Sequence, residues 1–290
     1  QQIAATIEPL GVNGDQSPDG KIVMISIGVS NTRNIFVGHS TSETDVTYTN
    51  SFKAKADADT FKNPDLVIVN GAQGSNAVDE WNNPDGNTWG TISTRLEAEG
   101  LVDSQVQVAW VYLPDRGQQS IFPTDQELYQ PKLESVLKIA KQKFPNLKIA
   151  YLSSRGYGGY STKTTSNVDR PSPPDQPGQL YAYQSAWAVK WLIGRQISSA
   201  LPGGDGSLDP DPDNNPVTAD GQVPWLAWGP YFWSDGASAN SNGVFWTCPD
   251  MYRDDGLHPN NEGVDQVSEL LINQMKNCLL YTSPSPRDRT

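Results

Sequence analysis

Ile22-Val23-Met24-Ile25-Ser26-Ile27-Gly28-Val29-Ser30-Asn31 is the stretch whose reading decides the fold. Its first six residues are almost all apolar, as expected of a strand covered on both faces, and a glycine then turns the chain toward a serine. The same kind of run recurs downstream at Asp65–Val69, Val106–Tyr112 and Leu147–Leu152, and more weakly at Pro224–Trp228. Helical spacing separates them. Pro131–Phe144 places Leu133, Val136, Leu137, Ala140 and Phe144 on one stripe. Tyr181–Ile197, with Trp187, Trp191 and Ile197, is apolar nearly all round and is expected to be well buried. Glu262–Met275 brings Val264, Val267, Leu270, Leu271 and Met275 together, with Asn260 or Asn261 as the cap. Strands alternating with helices predict an α/β fold: a parallel sheet of about five strands with helices on both faces.

Composition bounds the function. The chain has 290 residues, 36% hydrophobic and 19% charged, which is globular material with room for a sizeable core. No apolar run approaches the roughly 18 residues that span a membrane. A net charge of −12 repels phosphate backbones and argues against nucleic acid as a partner. Two cysteines and two histidines exclude a disulfide scaffold and a Cys/His zinc site. A catalytic imidazole must be His39 or His258, and His39, with no carboxylate patterned near it, reads as structural. The loop Pro202–Val223 carries Asp205, Asp209, Asp211, Asp213 and Asp220, but their spacing does not match a calcium-binding EF-hand.

In open parallel sheets ligands bind outside the carboxyl ends of the strands. Gly28-Val29-Ser30-Asn31 follows the first expected strand, Asn70-Gly71-Ala72-Gln73-Gly74-Ser75-Asn76 the second, Leu113-Pro114-Asp115-Arg116 the third and Ser153-Ser154-Arg155-Gly156 the fourth. Asp255-Gly256-Leu257-His258-Pro259 precedes the last helix. One edge therefore collects a serine on a tight turn, a glycine-rich loop and an Asp-x-x-His. Acyl transfer needs those parts: a hydroxyl activated by imidazole, a carboxylate that orients the ring, and backbone N–H donors for the oxyanion. Ser30, His258 and Asp255 are the candidate nucleophile, base and acid, with the N–H groups of Ser30 and Gly74 as oxyanion donors.

Three of these segments resemble the blocks of the SGNH (GDSL-type) hydrolases. Gly28-Val29-Ser30-Asn31 is similar to the first block in its Gly-x-Ser-Asn variant, Asn70–Ala77 to the second, whose glycine matches Gly74, and Asp255–Pro259 to the last. The match runs from about Lys21 to Asn277 in the family's order. The resemblance implies a three-layer, flavodoxin-like α/β/α sandwich and a serine esterase that uses no metal and no cofactor. It further implies a small-molecule or carbohydrate ester as substrate. One block departs. The family's third block supplies an Asn side chain to the oxyanion hole, but Ala109–Pro114 contains none, leaving Gln73, Asn76 or Arg155 as candidates for that donor.

Asn31, Gln73, Tyr112, Arg155, Tyr231 and Trp233 are expected to line the substrate site, the last two because aromatic faces beyond the Gly229-Pro230 turn suit a sugar ring or an acyl chain. Residues 1–20 read as an N-terminal extension and 21–277 as the catalytic domain. Residues 278–290 read as the translation of a sequencing adapter rather than as part of the fold. Setting that tail aside leaves Cys248 as a lone cysteine, expected to be buried. The absence of an initiating Met fits a removed secretory signal, hence a secreted or periplasmic protein, and fits a truncated gene equally well. A carbohydrate O-acetylesterase leads; a lipase- or thioesterase-like hydrolase of longer acyl chains and a non-catalytic carbohydrate-binding relative are the alternatives. The sequence is silent on oligomeric state.

Overall fold

The computed structural model describes residues 3–38, 50–116, 122–160, 179–215 and 220–276. His39, most of the Gly/Ser/Thr-rich segment 157–177 and the tail 278–290 lie outside the described residues. Five strands, β1 (Ile22–Gly28), β2 (Leu66–Val69), β3 (Val106–Tyr112), β4 (Ile149–Leu152) and β5 (Trp225–Trp228), pair in parallel in the order β2-β1-β3-β4-β5. Among the described residues, seven α-helices connect and cover them: α1 (Ser30–Val37), α2 (Phe52–Ala58), α3 (Val78–Trp81), α4 (Asn87–Ala98), α5 (Thr124–Lys143), α6 (Gln179–Ala200) and α7 (Asn261–Lys276).

The pleat distributes each strand between two cores. Val23, Ile25 and Ile27 of β1 join Val78, Trp81, Trp89, Ile92, Leu137 and Leu192 beneath α3–α6. Ile22 and Met24 join Ile35, Phe36, Phe52, Val267, Leu271 and Met275 beneath α1, α2 and α7. Period-two alternation in a strand buried on both faces has this consequence, and the result is the expected three-layer α/β/α sandwich. Strand order reverses between β1 and β3, so the loops after these two strands open a crevice at the carboxyl edge.

Three expectations change. The helix read over Pro131–Phe144 begins at Thr124, and Pro131 sits inside it. Its opening turns carry Asp125, Gln126 and Glu127 rather than an apolar stripe, so periodicity is silent there, while acidic side chains suit the helix's positive end. Helix α6 is not buried all round: Trp187 and Trp191 are half-buried and Ile197 is exposed, because only one face meets the sheet and α5. Cys248 is exposed, in the surface loop before α7. The carboxylates of loop 202–223 serve local turns. Asp205 accepts from Ser199 and Ser207, Asp209 from the Asp211 N–H and Asp211 from the Asn215 N–H, and no three converge on a metal site among the described residues. No described helix is long and apolar enough to cross a membrane.

Candidate active site

Ser30 is the first residue of α1, directly after β1. Gly28 makes that turn possible: a Cβ there would lie 2.3 Å from the Tyr112 carbonyl oxygen and 2.1 Å from Thr32 Oγ1. Thr32 Oγ1 in turn accepts from the Val29 N–H at 3.1 Å. Capping of α1 is thus done by Thr32, and the Ser30 hydroxyl is left for another partner. The backbone N–H of Ser30 lies in the first helical turn, where no intrahelical acceptor exists.

That other partner is His258, whose Nε2 lies 2.8 Å from Ser30 Oγ across 228 residues of chain. His258 Nδ1 lies 2.6 Å from Asp255 Oδ2. Asp255 Oδ1 accepts from the N–H groups of Leu257 (3.0 Å) and His258 (2.9 Å), so the carboxylate closes its own turn while aiming the ring. Gly256 carries a φ of 59°, which the turn requires and which glycine adopts without a Cβ penalty. Burial raises the Asp255 pKa, but the His258 and Leu257 donors outweigh it and hold the carboxyl well below the usual carboxylate range. Asp255 is therefore an anion facing an imidazole that faces a hydroxyl. Such a chain can withdraw the serine proton and carry it.

The loop bearing His258 is tied to α1 by a second set of bonds. Asn31 Nδ2 donates to the Leu257 carbonyl at 3.2 Å. With its amide oriented to satisfy both neighbours, Asn34 donates to the Ser30 carbonyl and accepts from Arg253 Nη2, each at 3.1 Å. The Arg253 N–H donates to the His258 carbonyl at 2.9 Å. Asn31 thus links the helix that begins at Ser30 to the loop that bears His258. Asn34 and Arg253 had no signal in the sequence beyond lying near the two motifs.

Gly74 stands on the loop after β2, as expected. The Gln73 N–H donates to the Gly28 carbonyl at 3.0 Å, pinning that loop beside the turn that bears Ser30. Arg95 of α4 braces it from below by donating to the Asn70 and Ala72 carbonyls at 3.1 Å each. Ser75, next to Gly74, sits at φ 65°, an uncommon conformation for a residue with a Cβ. Gln73 and Asn76 are not free to complete an oxyanion site. Gln73 Nε2 donates to the Thr88 carbonyl (2.7 Å) and the Gly71 carbonyl (3.3 Å), and its Oε1 accepts from Asn76 Nδ2 (3.3 Å). A short polar loop satisfies itself first when its side chains reach its own carbonyls.

Tyr112 and Arg155 line a small recess together with Asn31, next to Ser30, and with Leu257 and Pro259, which flank His258. Tyr112 stacks on Trp110, meets Phe232 edge-on and accepts from the Gly156 N–H at 3.2 Å, so it serves the core behind the site. Arg155 is buried and within electrostatic reach of the Tyr129 hydroxyl, whose pKa is raised first by burial. Both therefore stand in the recess beside the Ser30 turn, Tyr112 packed into the core and Arg155 buried. Tyr231 and Trp233 are half-buried, with Phe232 between them turned into the core. Trp233 packs on Tyr183 of α6 at 4.7 Å between ring centroids. They stand beyond β5, as expected, on the same edge of the sheet as Ser30.

One group near Ser30 was missed altogether. Arg33 lies one turn further along α1, and its Nη1 would sit 3.9 Å from a Cβ on Gly74. Its distance of three residues from Ser30 on a helix was the available signal.

No family model matches the chain, and no curated protein matches it. Among solved structures, the chain is similar to a carbohydrate acetylesterase from Sinorhizobium meliloti at 11% identity, over 89% of this chain and 99% of that one, with a TM-score of 0.48. An aryl esterase from M. smegmatis gives the same identity, coverage and TM-score. A member of the lipolytic G-D-S-L family from Veillonella parvula is 10% identical over 88% and 98% of the two chains, with a TM-score of 0.43.

Proposed function

We propose that the chain is a serine-dependent carboxylic ester hydrolase that works through an acyl-enzyme. The observation that carries this reading is the unbroken line from Asp255 Oδ2 through His258 to Ser30 Oγ, at 2.6 and 2.8 Å. Ser30 Oγ attacks the ester carbonyl carbon while its proton passes to His258 Nε2. The tetrahedral oxyanion is held by the N–H groups of Ser30 and Gly74. Collapse expels the alcohol, which takes the proton from His258, and leaves an acyl group on Ser30. Water then attacks that acyl group with His258 again accepting a proton, and the carboxylic acid departs as Ser30 regains its hydrogen. Asp255 remains ionised throughout, holding the ring's orientation and balancing the imidazolium.

The alcohol side is read as a carbohydrate or other small polyol, with acetyl as the leading acyl group. The half-buried faces of Tyr231 and Trp233 on the strand-end rim support a sugar ring as the occupant there. Replacing Ser30 by Ala is expected to remove turnover of 4-nitrophenyl acetate, a loss of about 10⁴-fold or more, without altering the melting temperature appreciably. Retained turnover in Ser30→Ala would refute the assignment.

A further inference from the structure

Arg33 differs from four other arginines in what its guanidinium meets. Arg95 donates to two loop carbonyls, Arg116 pairs with Glu80 at 3.1 Å, Arg195 pairs with Glu134, and Arg253 reaches the Asn34 oxygen. Arg33 has no carboxylate and no carbonyl partner among the described residues, and its Nε is buried with its N–H unanswered. A buried guanidinium N–H without an acceptor is costly, since the group has given up water and gained nothing in exchange. Arg116 Nε is in the same state, but Arg116 is paired with Glu80, whereas Arg33 stands beside the Gly74 loop, where a ligand can complete it.

Its position says which ligand. Helical side chains lean toward the helix N-terminus, so the long side chain at the third residue after Ser30 reaches back to the level of the nucleophile. The 3.9 Å approach to the Gly74 position puts the guanidinium between the Ser30 turn and the loop after β2, on the wall of the proposed site. The chain as a whole carries a net charge of −12, and against that background a guanidinium with no carboxylate partner among the described residues gives this wall a positive charge. A neutral acetyl ester brings nothing that would pair with it.

We propose that Arg33 is a substrate-binding residue that selects esters carrying a carboxylate close to the scissile bond. This rests on the reading of Ser30 as the nucleophile. A planar carboxylate matches the guanidinium fork, and a charge-assisted bond in a partly desolvated position is among the stronger polar contacts. The carboxylate can belong to the acyl part, as in a dicarboxylic hemiester, or to the alcohol part, as in an acetylated uronic acid.

The test compares kcat/KM for two anionic esters, 4-nitrophenyl succinate and an O-acetylated uronic acid, with their neutral methyl-ester counterparts. The comparison is made in the wild type, Arg33→Met and Arg33→Lys. In the wild type at least one anionic ester is expected to be preferred over its neutral counterpart by about tenfold or more, and the side on which the preference appears identifies the source of the carboxylate. Arg33→Met should abolish that preference, Arg33→Lys should keep part of it, and added salt should erode it in the wild type. Calorimetric binding of 4-nitrophenyl succinate and of the acetylated uronic acid to Ser30→Ala, with and without Arg33→Met, reads the same contact with no turnover. About tenfold weaker binding of the preferred anion in the double variant is expected. Equal anionic-to-neutral ratios in the wild type and Arg33→Met, together with equal binding by the two Ser30→Ala proteins, would overturn the proposal. A chain that binds the anion through Arg33 but hydrolyses no ester would instead overturn the esterase reading alone.

Discussion

Asp255 receives two backbone N–H bonds and the His258 ring, and it stays ionised well below the usual carboxylate range because of them. Its removal as Asp255→Asn is expected to lower kcat for 4-nitrophenyl acetate by about 10⁴-fold, through loss of the ring's correct tautomer and of the balancing charge. The same group links folding to pH. Its pKa is lower folded than unfolded, so its contribution is complete above the unfolded value of about 3.9 and fades as pH falls from there toward the folded value. The gap in urea midpoint between wild type and Asp255→Asn should therefore be narrower at about pH 3 than at about pH 7. An equal gap at both would contradict the shift. At this scale the sequence was legible for the hydrogen-bonded line from Asp255 through His258 to Ser30, because Asp-x-x-His can close on one turn and only His258 has such a carboxylate. It was not legible for the way Gln73 and Tyr112 are held, since the Thr88 carbonyl and the Gly156 N–H that they bond are neighbours only the fold brings near. Arg33 is the converse case: spacing put it near Ser30, but the lack of a partner is a property of three dimensions.

Between residues and the whole lie the elements that hold the site. Helix α7 begins on Asn260, whose Oδ1 accepts from the N–H groups of Glu262 (3.1 Å) and Gly263 (3.2 Å) and whose Nδ2 donates to the Asp250 carbonyl at 2.8 Å. Asn260→Ala should cost about 1 kcal/mol in urea unfolding, and the loosened 250–258 loop should lower kcat as well. Full activity with unchanged stability would remove Asn260 from the account. The β1–α1 turn is tighter still. Gly28→Ala must push the Tyr112 carbonyl or the Thr32 hydroxyl away and is expected to destabilise by about 1–3 kcal/mol, read as a lower melting temperature, with turnover falling alongside. The strands and α7 were legible from periodicity because both faces of the sheet and one face of the helix are buried. The start of α5 was not, since its polar opening turns have no periodic signal, and α6 misled because apolar residues such as Ile197 can remain on a helix's outer face.

At the scale of the molecule, the candidate site is assembled from the carboxyl ends of β1 and β2 and from the loop before α7, with Ser30 and His258 228 positions apart in the chain. No local segment can form it alone. Urea denaturation is therefore expected to remove ester turnover and tryptophan fluorescence change at one midpoint, and activity lost well before the cores under the two helical layers open would contradict a site set by the whole sandwich. The most direct measurement is covalent labelling with a serine-directed phosphonate, followed by mass mapping of the modified peptide. The account predicts a single adduct on Ser30, lost in Ser30→Ala and strongly slowed in His258→Ala. An adduct on another serine, or no reaction in folded wild-type protein, would contradict it.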